Sequence, residues 1–292
     1  MKSKTIGYLS LTTAASIWGG MYVVSKFAMD YIEPYTLVWI RYLIAFIVMS
    51  LIYLVYKNRT PLKSISKSDL IVLILIGVIG YFISITCQFY GTFLSNAHTG
   101  SLITSATPAF MTVFAWKILN EKMTIKKIAA LIISSAGILT IIGFEHIDST
   151  FLLGVVILSV AAISWALMSV LVKKASASLD IVTVTLVGIT IGLVSTTPLM
   201  ISEVSKTIPT IDYDLILACL YIGVVSTAGA FFLWNYGLKL VEASKGSLFF
   251  FLQPIVGTIL GYFMLGETLT INFFIGSSMI ILSVLLTLDI NK

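Results

Sequence analysis

Along this chain, apolar runs about as long as the 20 residues that carry a helix across a hydrocarbon core alternate with short clusters of charged and turn-forming residues. Ten such windows predict ten membrane-spanning helices, at about residues 6–28, 34–56, 69–91, 96–118, 125–144, 151–174, 181–201, 214–238, 243–265 and 271–288. Polar punctuation parts them: Glu33-Pro34 after the first, residues 58–68 after the second, 145–150 after the fifth and 202–214 after the seventh. The strict alternation of a half-buried strand is absent, which excludes a barrel.

A repeat is superimposed on these windows. Residues 76–139 return 146 positions later without a gap, with 17 identities in 64 positions, against roughly one in ten by chance for so apolar a composition. Ile76-Gly77-Val78 recurs as Ile222-Gly223-Val224, Tyr90-Gly91 as Tyr236-Gly237 and Gly100-Ser101-Leu102 as Gly246-Ser247-Leu248. Pro108 recurs as Pro254 and Glu121 as Glu267. The chain therefore reads as two related halves, 1–146 and 147–292, within one transmembrane unit.

Composition and charge turn this repeat into a topology. Hydrophobic residues make up 58% and charged residues 11%, with mean hydropathy +1.05, where a soluble domain carries about a quarter charged residues. The pI of about 9.1 is explained by short inter-span loops rather than by a nucleic-acid surface. With the N-terminus placed in the cytoplasm, 15 of the 18 Lys and Arg fall on the cytoplasmic side, as the positive-inside rule requires. Both termini are thus expected inside the cell, and the chain in the plasma membrane. Five spans per half is an odd number, so the second copy enters the bilayer from the opposite side. The expected fold is an all-α membrane protein, ten transmembrane helices as two inverted five-helix repeats. In that architecture a substrate site lies near the midplane between the halves. The first window outruns a secretory h-region and carries Lys26 near its end, so it is expected to remain a span. Cys87 and Cys219 lie in different apolar windows, and neither disulfide nor metal spacing is present, so no cofactor is expected.

Ile17-Trp18-Gly19-Gly20 with Lys26, Arg41 in the second span, and Ala97-x-x-Gly100-Ser101-Leu102-x5-Pro108 leading to Glu121 resemble the EamA-like, ten-span members of the drug/metabolite transporter superfamily. Trp165, Lys173, Ala243, Gly246, Pro254 and Glu267 repeat the pattern in the second half, whereas Arg41 has no basic counterpart there. The resemblance covers essentially the whole chain. It implies a ten-helix bundle with a central cavity lined mainly by spans 1, 3, 4, 6, 8 and 9, and a family in which many members export amino acids or related metabolites.

Several residues then become candidates. Pro108 and Pro254 fall about halfway along spans four and nine, where a missing N–H bends a helix and frees a carbonyl; they read as cavity-shaping bends or as passive kinks. Gly100-Ser101 and Gly246-Ser247 read as close backbone packing. Trp18, Tyr22, Tyr81, Ser84, Gln88, Thr104, Trp165, Trp234, Asn235 and Gln253 would together form a neutral pocket with stacking faces and hydrogen-bonding groups, although each aromatic also has a plain packing role. Lys26 is expected in the outer mouth, with Asp30 or Glu33 as partner, and Lys173 at the inner one, reaching headgroups. Arg41, an intramembrane charge, reads either as a functional group or as a salt bridge to Glu33 or a carbonyl bond that fixes span two. Glu121 and Glu267 read as interfacial caps or as gates.

The leading expectation is a secondary transporter working by alternating access, exporting amino acids or related zwitterionic or neutral solutes, with the lipid bilayer and a small-molecule substrate as its partners. The alternative is import or exchange of an anionic solute such as a sugar phosphate, with Lys26 and Arg41 as ligands. A membrane-embedded lipid-modifying enzyme is remote: no Ser/His/Asp set, paired aspartates or HExxH occurs within the spans.

Overall fold

The computed structural model describes residues 2–95, 97–142, 149–205, 212–265 and 271–287; Glu267 lies outside them. Every element among the described residues is helical. In chain order they are α1 (Lys2–Ala28), α2 (Pro34–Val55), α3 (Lys67–Leu94), α4 (97–119), α5 (Ile125–Ile142), α6 (Ser149–Ala175), α7 (Ile181–Val204), α8 (Tyr213–Leu240), α9 (243–265) and α10 (Ile271–Thr287). Six are long and apolar enough to cross a membrane: α2, α3, α6, α7, α8 and the 243–260 part of α9. Their ends follow local chemistry. Pro34 opens α2, and the Tyr35 and Thr36 amides donate to Glu203 at the far end of α7 (3.1 and 2.6 Å). Asp180 caps α7 through the Thr183 amide at 3.0 Å. Asn120, in the left-handed region at φ 54°, ends α4.

Serine and threonine are tolerated inside these apolar helices because they return their hydroxyls to the preceding turn, as Ser25 does to the Met21 carbonyl and Thr112 to that of Pro108. Large apolar side chains such as Leu54, Val55, Ile132 and Phe263 point outward and exposed, the surface that a hydrocarbon phase covers.

Packing between the halves follows the repeat. α1 lies on α8 as α6 lies on α3, α1 on α9 as α6 on α4, and α2 on α8 as α7 on α3; α2 pairs with α7 and α5 with α10. The match extends to single contacts. A Cβ on Gly237 would stand 2.6 Å from Leu11 and 3.0 Å from the Gly7 carbonyl, and one on Gly91 would stand 2.7 Å from Leu158 and 3.0 Å from the Gly154 carbonyl. These glycines are therefore close-approach positions, where backbone meets backbone. α2 and α7, second in each half, run antiparallel: Tyr35 meets Glu203, Trp39 bonds Thr197, and Thr60 at the other end bonds Asp180.

Two irregularities also come in pairs. π-helix replaces α-helix over Ile76–Ser84 of α3 and Tyr221–Gly229 of α8, a rare geometry concentrated at functional sites. α4 breaks between Ala97–Thr104 and Thr107–Leu119, and α9 passes through a 3-10 turn, Ser247–Phe251, before Leu252–Leu265. Pro108 and Pro254 sit in the first turn after each break. Pro108 stands at the start of a helical segment, where its missing N–H costs little, and Pro254 is the third residue of one that follows directly on the 3-10 turn.

Candidate functional site

Where the halves meet, a cavity is lined by α1, α3, α4, α6, α8 and α9, with one side chain, Arg41, reaching in from α2. Much of its lining comes in repeat-related pairs: Trp18 with Trp165, Ile85 with Phe231, Thr104 with Phe250, and Thr107 with Gln253. The cavity thus lies on the axis that exchanges the halves. The breaks before the prolines put Thr104, Thr107, Phe250 and Gln253 on its wall. Its space is about 350 Å³, of which about 20 Å³ admits the centre of a water-sized sphere, room for a single water.

Four aromatic rings stand in the wall. Trp18 meets Trp165 edge-on at 5.3 Å, and Phe231 lies 5.8 Å from Trp18 and 5.3 Å from Trp165. Phe250 packs 5.7 Å from Trp18 and 6.2 Å from Trp165. These are the offset and T-shaped arrangements that ring quadrupoles favour. Trp18 Nε1 is committed to the Ser226 carbonyl at 2.9 Å, within the π-helix of α8, whereas Trp165 Nε1 is buried without a partner.

The polar groups are oriented by a one-way chain of donors. Thr104 donates to the Gly100 carbonyl (2.7 Å), so Tyr22 must donate to Thr104 (2.6 Å) and accept from Gln88 Nε2 (2.5 Å). That sequence fixes the Gln88 amide and leaves Oε1 as a buried, unpartnered acceptor. Gln253 Oε1 is a second. Arg41 is 0% exposed. Its Nε donates to Thr227 Oγ1 at 2.8 Å, and Thr227 in turn donates to the Ile222 carbonyl, five residues back along the π-helix. Phe89, Phe231 and Tyr42 surround the guanidinium at 4.8, 5.5 and 5.9 Å. No bond to Glu33 forms, so the salt-bridge expectation for Arg41 gives way to a hydrogen bond across the halves.

Of the ten predicted pocket residues, Trp18, Ser84, Gln88, Thr104, Trp165 and Gln253 line the cavity. The other four stand behind it. Tyr22 belongs to the donor chain, and Trp234 bonds Ser169 at 3.2 Å. Asn235 ties the Tyr81 hydroxyl (3.1 Å) to Thr185 (2.9 Å), joining α8 to α3 and α7. Phe231, Phe250 and Thr107 were missed from sequence, though the repeat itself pairs each with a residue of the other half.

One end of the bundle is clasped. Glu121, after α4, accepts from the Ala243 and Ser244 amides at 2.6 and 3.1 Å and from the Ser244 hydroxyl, capping α9. Lys127 reaches Glu242 at 2.7 Å and Glu121 at 3.8 Å. Lys173 donates to the Leu238 and Val241 carbonyls at the end of α8; this corrects its expected reach to headgroups, since unpaired helix-end carbonyls attract a cation. Lys26, its repeat equivalent, lies over the Phe93 ring, 6.0 Å away, and among the described residues neither Asp30 nor Glu33 forms an ion pair with it.

Comparison with known proteins agrees with this geometry. Over 94% of the chain and 93% of the relative, 28% of positions are identical to an uncharacterized transporter, YoaV, of Bacillus subtilis (strain 168). A second from the same organism, YetK, is 25% identical over 98% and 88%. A solved crystal structure superimposes with a TM-score of 0.76 at 18% identity, covering 96% of this chain and 95% of that one, which shows a shared fold. The model of the EamA-like transporter family matches twice, over residues 5–143 and 152–289. Two matched repeats, each supplying half of one aromatic cavity between apolar helices, make this multi-pass membrane protein a transporter that belongs to the EamA-like transporter family.

Proposed function

We propose that the chain is a ten-span secondary transporter of the plasma membrane, with both termini cytoplasmic, that exports small amphipathic metabolites, amino acids and related solutes, by alternating access. The observation that carries this reading is the cavity on the exchange axis, walled by paired residues from both halves. A site so placed is reached from either side when the two halves trade conformations. Antiparallel α2 and α7 support inverted halves. Clasping at the Glu121 end, where Lys173 also bonds the last carbonyls of α8, supports a conformation shut toward the cytoplasm; among the described residues Lys26, at the opposite end, makes no equivalent bond.

Purified protein in liposomes preloaded with unlabelled solute should drive counterflow of the labelled solute for at least one member of an amino-acid panel. Absence of movement for the whole panel, with the protein folded and inserted, would reject the substrate class. The sugar-phosphate alternative finds only half its site: Arg41 lines the cavity and Lys26 does not.

A further inference from the structure

The terminal nitrogens of Arg41 have no role in the packing just described. Nε is held by Thr227 and three rings surround the guanidinium, yet Nη1 and Nη2 are fully buried, without a partner, in a side chain that lines the cavity. No Asp or Glu lines that cavity among the described residues, and no described ion pair involves Arg41. A buried cation left in this state is costly, and the protein offers it no counter-ion.

We infer that Arg41 is the carboxylate subsite of the transport cavity and that the solutes carried are amphipathic monocarboxylates, in which an amino group is dispensable. The inference rests on reading the cavity as the transport site. Two Nη groups on one planar fork match the two oxygens of a carboxylate. Charge sets the class. The lining holds one cation and no anion, so a monoanion brings the site to neutrality. A phosphate ester dianion would leave it at −1, with Lys26 outside the lining. A zwitterion would leave it at +1, its ammonium facing only neutral acceptors such as Gln88 Oε1. Trp18, Trp165, Phe231 and Phe250, packed at steep angles to one another, provide apolar ring faces and edges for the rest of the solute.

The repeat explains why one such subsite exists. At the spacing of 147 that pairs Trp18 with Trp165 and Lys26 with Lys173, position 188 in α7 corresponds to Arg41, and at the spacing of 146 position 81 in α3 corresponds to Thr227. A Cβ on Gly188 would stand 2.6 Å from the Tyr81 ring. At one of these two equivalent contacts between the halves, then, a long Arg meets a small Thr; at the other, a glycine makes room for a large Tyr, and Tyr81 fills the space that a second cation would need. This exchange makes a pseudo-symmetric cavity asymmetric in charge, so a carboxylate binds the same pole whichever mouth is open.

The test uses full-length protein in nanodiscs and four probes with one aromatic body, binding being read by calorimetry: 3-phenylpropanoate, phenylalanine, 2-phenylethylamine and phenyl phosphate. We expect 3-phenylpropanoate to bind at least as tightly as phenylalanine, and the amine and the phosphate at least 30-fold more weakly. Arg41→Gln should weaken 3-phenylpropanoate at least 100-fold and Arg41→Lys at least tenfold, whereas Lys26→Gln should change it less than threefold. An amine that binds as well as the acid overturns the inference on wild-type protein, whatever becomes of the variants. So does acid binding that survives Arg41→Gln within threefold. Neutral 3-phenylpropanamide separates the two readings. If it binds, and Trp165→Ala but not Arg41→Gln abolishes that binding while the acid shows no preference, the cavity stands as the site and the carboxylate subsite falls. If no probe binds, both fall.

Discussion

Replacing Glu121 by Gln is a direct probe of the clasp that shuts one end of the bundle. The carboxylate is 9% exposed and accepts three hydrogen bonds, from the Ala243 and Ser244 amides and the Ser244 hydroxyl. A bond to a charged group contributes about 1.5–3 kcal/mol net. Gln keeps one acceptor oxygen but turns an NH₂ toward donors, so the clasped state loses about 2–4 kcal/mol relative to one in which α4 and α9 have parted. At 1.4 kcal/mol per tenfold, that is a shift of roughly 30- to 700-fold in the equilibrium between the two. Thr107 is fully buried in the cavity, so Thr107→Cys, in a background lacking Cys87 and Cys219, reports opening by reaction with a membrane-impermeant maleimide. In vesicles that present the Glu121 end, labelling should accelerate at least tenfold in Glu121→Gln. Unchanged labelling in a variant of unchanged thermal stability would refute the argument that these bonds hold the mouth shut.

Three further outcomes follow from packing and charge. Gly91→Ala should destabilise the protein by about 1–3 kcal/mol, as overpacking does, while Gly229→Ala, whose Cβ would meet nothing nearer than 3.4 Å, should not; melting followed by fluorescence-detected size exclusion compares them. Thr104→Val should cost about 1–2 kcal/mol by leaving the buried Tyr22 hydroxyl without its acceptor, visible as a lower Tm, and Tyr22→Phe should not restore it, because Gln88 Nε2 then loses its own acceptor. Burial raises the Asp180 carboxyl, but hydrogen bonds from Thr183 and Thr60 outweigh it and hold the group below the usual carboxylate range. A depressed folded value means that its stabilisation is complete above the unfolded pKa of about 3.9 and is lost as pH falls through the lower folded value; the wild-type advantage over Asp180→Ala, about 1 kcal/mol for an N-cap, should therefore vanish only in strong acid.

What could be read from the amino-acid sequence was whatever depends on local composition and on order along the chain. Runs of about 20 apolar residues must become helices, because hydrocarbon offers backbone groups no other partner, and the helices do fall on the predicted windows. The gapless repeat, being a matter of identity at fixed separation, points to paired structures, and the π-helical stretches and broken helices recur within about one residue of its spacing. Direction around a helix was not legible in this way. Arg41 is the one charged residue of α2, whose other side chains are almost all apolar, so no periodicity told which way the guanidinium faces; only the meeting of α2 with α8 decided that it turns inward to Thr227 and the cavity. Lys173 and Glu121 are of the same kind. Their sequence positions placed them at helix ends, but their partners come from α8 and α9, 65 and 122 residues away in the chain. Sequence thus determined the helices, the duplication and the family, since each is written in local chemistry or linear spacing. Tertiary structure alone decided which polar atoms are left to meet a solute, because that depends on which groups are already satisfied by distant neighbours.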